Sequence, residues 1–116
     1  MTEMSTIDVN GLKQLSGNDE DFVNDILKLY TERTVVDLHE LRDARDESNW
    51  SKVRFIIHRM RSAAVPLGLK ELVVLLRKVE NKLKADEMDG VISELDLITR
   101  HSEEALLDAK RQLEIA

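Results

Sequence analysis

The stretch "NWSKVRFIIHRMRSAAVPLGLKELVVLLRKVE", residues 49–80, carries two helical rhythms with one break between them. Before the break, Val53, Ile57, Met60, Ala64 and Leu67 recur at spacings of 4, 3, 4 and 3. After it, Leu69, Leu72, Leu76 and Val79, continued by Leu83, keep the same beat. Apolar residues at that spacing fall on one face of an α-helix, so each side predicts an amphipathic helix with a buried stripe. Val73, Val74 and Leu75 widen the second apolar face, which predicts neighbours on more than one side of that helix. Asn49 is a suitable cap for the first helix, since its side-chain oxygen can accept from an orphan amide of the first turn. Pro66 offers no N–H to the carbonyl of Ser62 and crowds it, while Gly68 can adopt the left-handed backbone that ends helices. The break therefore reads as a helix stop followed at once by a second helix.

Upstream, a long segment from about Asp19 to Arg45 places Val23, Leu27, Tyr30, Thr34, Leu38 and Leu41 on one stripe, with Asn18 or Asp19 as its cap. Downstream, Met88 to Leu113 aligns Leu95, Ile98, Ser102, Ala105 and Ala109. A shorter turn of helix, Val9 to Leu15, is expected across one end, and Trp50 is expected to anchor a helix start against the rest. The connections "SGNDE" (16–20), "DESN" (46–49) and "ADEMDG" (85–90) are short, and short connections make sequential helices run in opposite directions. The expected fold is all-α: an antiparallel up-and-down four-helix bundle with a short extra N-terminal helix. It is read as one domain, residues 1–116, with the motif helices at about 50–84.

Composition agrees with that class. The 116 residues suffice for one core, and 34% charged against 42% hydrophobic residues describe a globular chain. Only 3% are aromatic, which leaves little material for a β-sandwich. There is no cysteine, hence no disulfide framework and no thiolate metal site. No apolar run is long enough for a membrane span, and no signal-peptide pattern follows Met1, so the expectation is a cytoplasmic protein without a membrane partner.

A net charge of −6 argues against nucleic acid as a partner, as does the lack of stacking aromatics among the basic residues. The charge is unevenly spread. Between Glu47 and Glu71 there is no acidic residue, yet Lys52, Arg54, Arg59, Arg61 and Lys70 all fall there. A basic island in an acidic chain suggests something local and anionic.

His58 lies inside this island. It follows the core position Ile57 and is therefore rotated about 100° away from it, toward water. Arg54, Arg61 and Ser62 share its face at i−4, i+3 and i+4, and Ser62 to Ala64 form a floor of small residues beside it. Glu80 is about as far past the break as His58 is before it, roughly 15–18 Å along each helix, so the two stand level. Its carboxylate could accept the imidazole Nδ1–H and leave the Nε2 lone pair outward, as a nucleophilic histidine requires. The alternative is an ordinary solvated acid paired with Lys84 at i+4. His39 and His101 have no such surroundings and read as surface residues. Three widely separated histidines make no zinc pair, and Asp43, Asp46 and Glu47 read as a solvated helix end, so no metal site is expected.

The stretch quoted above resembles the core of the histidine-containing phosphotransfer (HPt) domain family. That pattern has a histidine, a basic residue three positions on, small residues, a Leu-Gly pair and a later acid. Here these fall on His58, Arg61, Ser62 to Ala64, Leu67-Gly68 and Glu80, and "NDEDFVNDILKLYTERT" (18–34) is similar to the family's first long helix. Two positions depart: Arg61 stands where a lysine is usual, and Ser62 where a glycine is usual. The resemblance implies a phosphocarrier without ATP-dependent kinase activity of its own. His58 would take a phosphoryl group from a receiver-domain aspartyl phosphate and pass it to a second receiver aspartate. Arg61, with Arg54 or Arg59 nearby, would compensate phosphoryl charge, and Glu80 would orient the imidazole. Arg54, Arg59, Ser62, Val65 and Gly68 would face the partner. Response-regulator receiver domains are the implied partners, with a hybrid sensor histidine kinase as a further one, and the chain itself is expected to be a monomer. No cofactor of its own is implied, Mg²⁺ being supplied by the receiver. The competing expectation is a helical adaptor that binds a receiver or another signalling protein without carrying phosphate.

Overall fold

Among the described residues, 6–115 of the chain, the computed structural model contains α1 (Val9–Leu15), α2 (Glu20–Asp46), α3 (Trp50–Ala64), α4 (Lys70–Lys84) and α5 (Val91–Ile115), and no strand. Residues 1–5 and 116, the ends of the expected domain span, lie outside the described residues. The helix starts follow from side-chain chemistry. Asp19 Oδ1 accepts the Phe22 N–H at 3.1 Å and caps α2, while Asn18, the other candidate, takes a left-handed φ of 68° in the preceding turn. Asn49 Oδ1 accepts the Lys52 N–H at 3.2 Å and caps α3.

Pro66 acts where its missing N–H predicts. α3 stops at Ala64, and Val65–Leu67 form a single 3-10 turn. Gly68 follows at φ 67°, its N–H donating to the Val65 carbonyl at 3.1 Å, and α4 begins two residues later. The chain is turned back in very few residues, which presses α3 against α4 along their length.

α2 and α4 each pack against both α3 and α5. One core runs between them, including Val53, Ile56 and Ile57 of α3, Leu72, Leu76 and Val79 of α4, and Leu95 and Ile98 of α5. The stripes expected on α3, α4 and α5 are all buried, and Trp50 packs partly buried against the core at the first turn of α3. Three details differ. On α2 the buried position is Asp37 rather than Leu38, which is only partly covered. Continuing the alternation through 30, 34, 37, 41 and 44 keeps the helical phase, and phase outweighs the apolarity of a neighbour. Val74 is 65% exposed, so α4's apolar face is narrower than its composition suggests. α5 starts at Val91 instead of Met88, because Gly90 at φ 74° breaks the helix just before it.

The N-terminal segment closes one end. The Ile7 N–H donates to the buried carboxylate of Asp108 at 2.8 Å, and the Asp8 N–H donates to the Leu67 carbonyl at 2.8 Å. Leu12 of α1 is fully buried. Gly68, expected to face a partner, instead faces this segment: a Cβ there would lie 2.8 Å from the Asp8 Cβ.

Gly68 thus has two constraints where Gly17, also at φ 67°, has only one, since nothing lies within 4 Å of a Cβ at Gly17. Each alanine substitution should cost about 1 kcal/mol for the left-handed backbone. Gly68→Ala should cost about 1–2 kcal/mol more for displacing Asp8. Urea unfolding followed by circular dichroism measures both, and equal losses would show that the Asp8 contact is soft.

Candidate functional site

Tight pairing of α3 with α4 brings two residues face to face across the hairpin. His58 follows the fully buried Ile57 and keeps its side chain 57% exposed. Glu80 follows the fully buried Val79, and is itself only 3% exposed. Glu80 Oε2 lies 2.9 Å from His58 Nδ1. The contact to the imidazole is thus present, and the alternative of a solvated acid is not, although its companion Lys84 does stand 3.6 Å away, Nζ to the same oxygen. The short contact is to the imidazole.

Arg61, one turn along α3, completes the group. Its Nε is 3.0 Å from Glu80 Oε1, an ionic contact without hydrogen-bond alignment, and a terminal nitrogen is 3.3 Å from His58 Nδ1. The side chain is 25% exposed, so Arg61 is drawn against the protein instead of reaching into solvent. Burial pushes the Glu80 carboxyl up. The hydrogen bond from His58 and the charges of Arg61, His58 and Lys84 overcome that and hold it below its ordinary value. An ionised carboxylate only accepts, so the nitrogen facing it carries the proton, and in the neutral ring the lone pair is left on Nε2. Arg61's nitrogen beside Nδ1 is then a neighbouring donor, not a second partner for the ring.

Around the imidazole opens a cleft of about 520 Å³ lined by Ser51, Arg54, Phe55, His58, Glu80 and Lys84. Arg54 is exposed and has no ion-pair partner among the described residues. Ser62 is exposed, and its hydroxyl donates back to the His58 carbonyl at 3.2 Å, while Val65 beyond it is 54% exposed.

Arg59 does not join them. Its Nε donates to Asp37 Oδ1 at 2.9 Å, a terminal nitrogen donates to Glu40 Oε2 at 2.7 Å, and the guanidinium lies 5.6 Å from the Phe55 ring centroid. Burial raises the Asp37 carboxyl, and Arg59 offsets that only in part. The basic island is therefore not uniformly available: Arg59 serves α2, and Arg61 serves Glu80. Of the other histidines, His39 is exposed beside Asp43 at 3.5 Å, but His101 is half-buried and engaged with neighbours, so it is not simply a surface residue. Among the described residues no three His, Asp or Glu side chains converge as a metal site requires. Among the described residues no helix is long and apolar enough to cross a membrane.

Lys84 was expected at most as Glu80's companion, and its position on the wall of the histidine cleft was missed. Its i+4 spacing from Glu80 carried that signal, because the same face of α4 meets His58. Asp37 as the seat of Arg59 was also missed, although the unbroken 4-3 alternation on α2 points to it.

The family model described as "Hpt domain" matches residues 25–114. No curated protein and no solved structure matches the chain significantly.

Two stability measurements follow from these pairs. Glu80 has a lowered folded-state pKa, so its stabilisation is complete above its ordinary value of 4.5 and disappears as pH falls through the lowered one. Thermal midpoints from about pH 6 down to pH 3 should fall more steeply in the wild type than in Glu80→Gln. Parallel curves would contradict the pairing. Arg59→Met, which strands the buried Asp37, should cost about 2 kcal/mol, below the fully buried range because Arg59 is 35% exposed. Arg54→Met should stay within about 0.5 kcal/mol.

Proposed function

The chain belongs to the Hpt domain family, the histidine phosphotransfer domains of two-component signalling, and on that premise we propose that His58 is its phosphoacceptor in a receiver-to-receiver relay. The observation that carries this reading is the 2.9 Å contact between His58 Nδ1 and the nearly buried Glu80, with the ring otherwise open to solvent. Glu80 fixes the proton on Nδ1, and Nε2 becomes the nucleophile. Its lone pair attacks the phosphorus of a receiver's aspartyl phosphate. The Nε2–P bond forms as the acyl P–O bond breaks, and the aspartate leaves as carboxylate. Attack makes the ring positive, and the Glu80 carboxylate at Nδ1–H offsets that charge without any proton having to leave. Reversal onto a second receiver's aspartate completes the relay.

No adenine nucleotide enters this chemistry, so the domain carries the phosphoryl group and is not a kinase. Mg²⁺, which neutralises phosphoryl oxygens, would come with the receiver. Arg61 keeps a positive charge beside the ring while steadying Glu80. Arg54, Ser62 and Val65, all exposed around His58, would meet the docking receiver, and a hybrid sensor histidine kinase is a further partner of the same kind. The cross-helix pairs His58 with Glu80 and Arg45 with Asp96 support an antiparallel up-and-down arrangement of α2 to α5, with α1 as an additional helix. The one core that runs through the described residues supports reading them as one domain. Such a carrier would work as a cytoplasmic monomer.

Incubation with a phosphorylated receiver domain and Mg²⁺ tests the assignment. Acid-labile label should appear on the wild type and be absent from His58→Gln. Binding of the receiver with no label on the wild type would favour an adaptor, and label persisting on His58→Gln would remove His58 from the role.

A further inference from the structure

The residue three positions after the histidine is the one the family pattern would give to the phosphoryl oxygens, yet Arg61 does not line the cleft beside the ring. Its Nε is buried against Glu80 Oε1, and its charge is one of those that keep that carboxylate ionised. Swinging Arg61 out to Nε2 would strip a partner from a carboxylate that is 3% exposed, a loss that a nearly buried charge resists. Two other cations do line the cleft. Arg54 sits one turn before His58 on α3, exposed and without an ion pair among the described residues. Lys84 reaches in from α4, 51% exposed and held, among the described residues, only by the 3.6 Å contact to Glu80 Oε2, the oxygen that also faces the imidazole. The two stand on opposite helices, each one turn beyond the His58–Glu80 pair on the side away from the hairpin turn. Arg54 has no ion pair to give up, and Lys84 gives up only a 3.6 Å contact while His58 and Arg61 stay on Glu80.

We propose that a phosphoryl group on His58 Nε2 is seated between Arg54 and Lys84, and that Arg61 is a positioning residue acting through Glu80. This rests on the phosphocarrier reading above and divides its charge compensation differently from the family pattern. A guanidinium suits the positioning task, because it can set Nε toward one carboxylate oxygen while a terminal nitrogen stays at the ring edge. The mobile ammonium of Lys84 and the unpaired fork of Arg54 suit an anion that arrives and leaves.

Phosphoramidate, a small donor whose P–N bond breaks to release ammonia as the Nε2–P bond forms, removes receiver docking from the test. Labelling is followed by ³¹P NMR on the full chain, and the ¹⁵N signals of the His58 ring are recorded for each variant. Arg54→Ala and Lys84→Ala together should slow labelling about tenfold with the ring signals unchanged. Arg61→Ala should shift the ring signals toward a mixture of tautomers, and Arg61→Lys, which keeps the charge but not the fork, should restore them in part. Labelling of the double variant at the wild-type rate would overturn the seat. Arg61→Ala slowing labelling tenfold with unmoved ring signals would return the phosphoryl contact to Arg61. A wild type that accepts phosphate neither from phosphoramidate nor from a phosphorylated receiver would sink the phosphocarrier reading itself, whereas a labelled wild type with an unaffected double variant sinks only the seat.

Discussion

One nearly buried carboxylate organises the functional end of this molecule. Glu80 is pressed between α3 and α4, where a lone negative charge would be costly, and it is kept ionised by what surrounds it. His58 holds one of its oxygens and Arg61 the other, with Lys84 further out. The ion pairs that stabilise the carboxylate are the same contacts that aim the ring. Stability and chemistry are therefore linked at one atom group, and removing Glu80 would disturb both.

That carboxylate can meet the ring only because the hairpin beneath it is short and stiff. Pro66 ends α3, the 3-10 turn and Gly68 reverse the chain, and the register of two whole helices follows from those few residues. The Asp8 backbone bonded to Leu67 and the Ile7 backbone bonded to Asp108 brace the turn from outside. A slip of one residue in α4 would carry Glu80 about 100° around its helix, away from the imidazole. The core stripes of Val53 to Ala64 and Leu69 to Leu83 oppose such a slip, since it would bring charged side chains into the interior. The relation is one of packing fixing register, and register fixing chemistry.

Much of this was legible in order of residues alone. Period and punctuation locate α1 without error and the longer helices to within a few residues, because buried stripes and caps are local properties. The level placement of His58 and Glu80 follows from counting outward from Gly68. What was not legible depends on contacts between elements. Arg59 is indistinguishable from Arg61 in composition, and only the position of α2 decides that Asp37 and Glu40 take it. Arg61 looks exposed until Glu80 draws it inward. Gly68 looks like a partner-facing gap until the N-terminal segment is seen to fill it. Side-chain partners across a bundle are set by rotation and register, which no single helix encodes.

The account's centre is that Glu80 holds Nδ1 and so leaves Nε2 to react. Phosphorylating the ¹⁵N-histidine-labelled chain and locating the phosphorus by its coupling to the two ring nitrogens tests this directly. Phosphorus bonded to Nε2 of His58 is the predicted result, and phosphorus bonded to Nδ1 would contradict it.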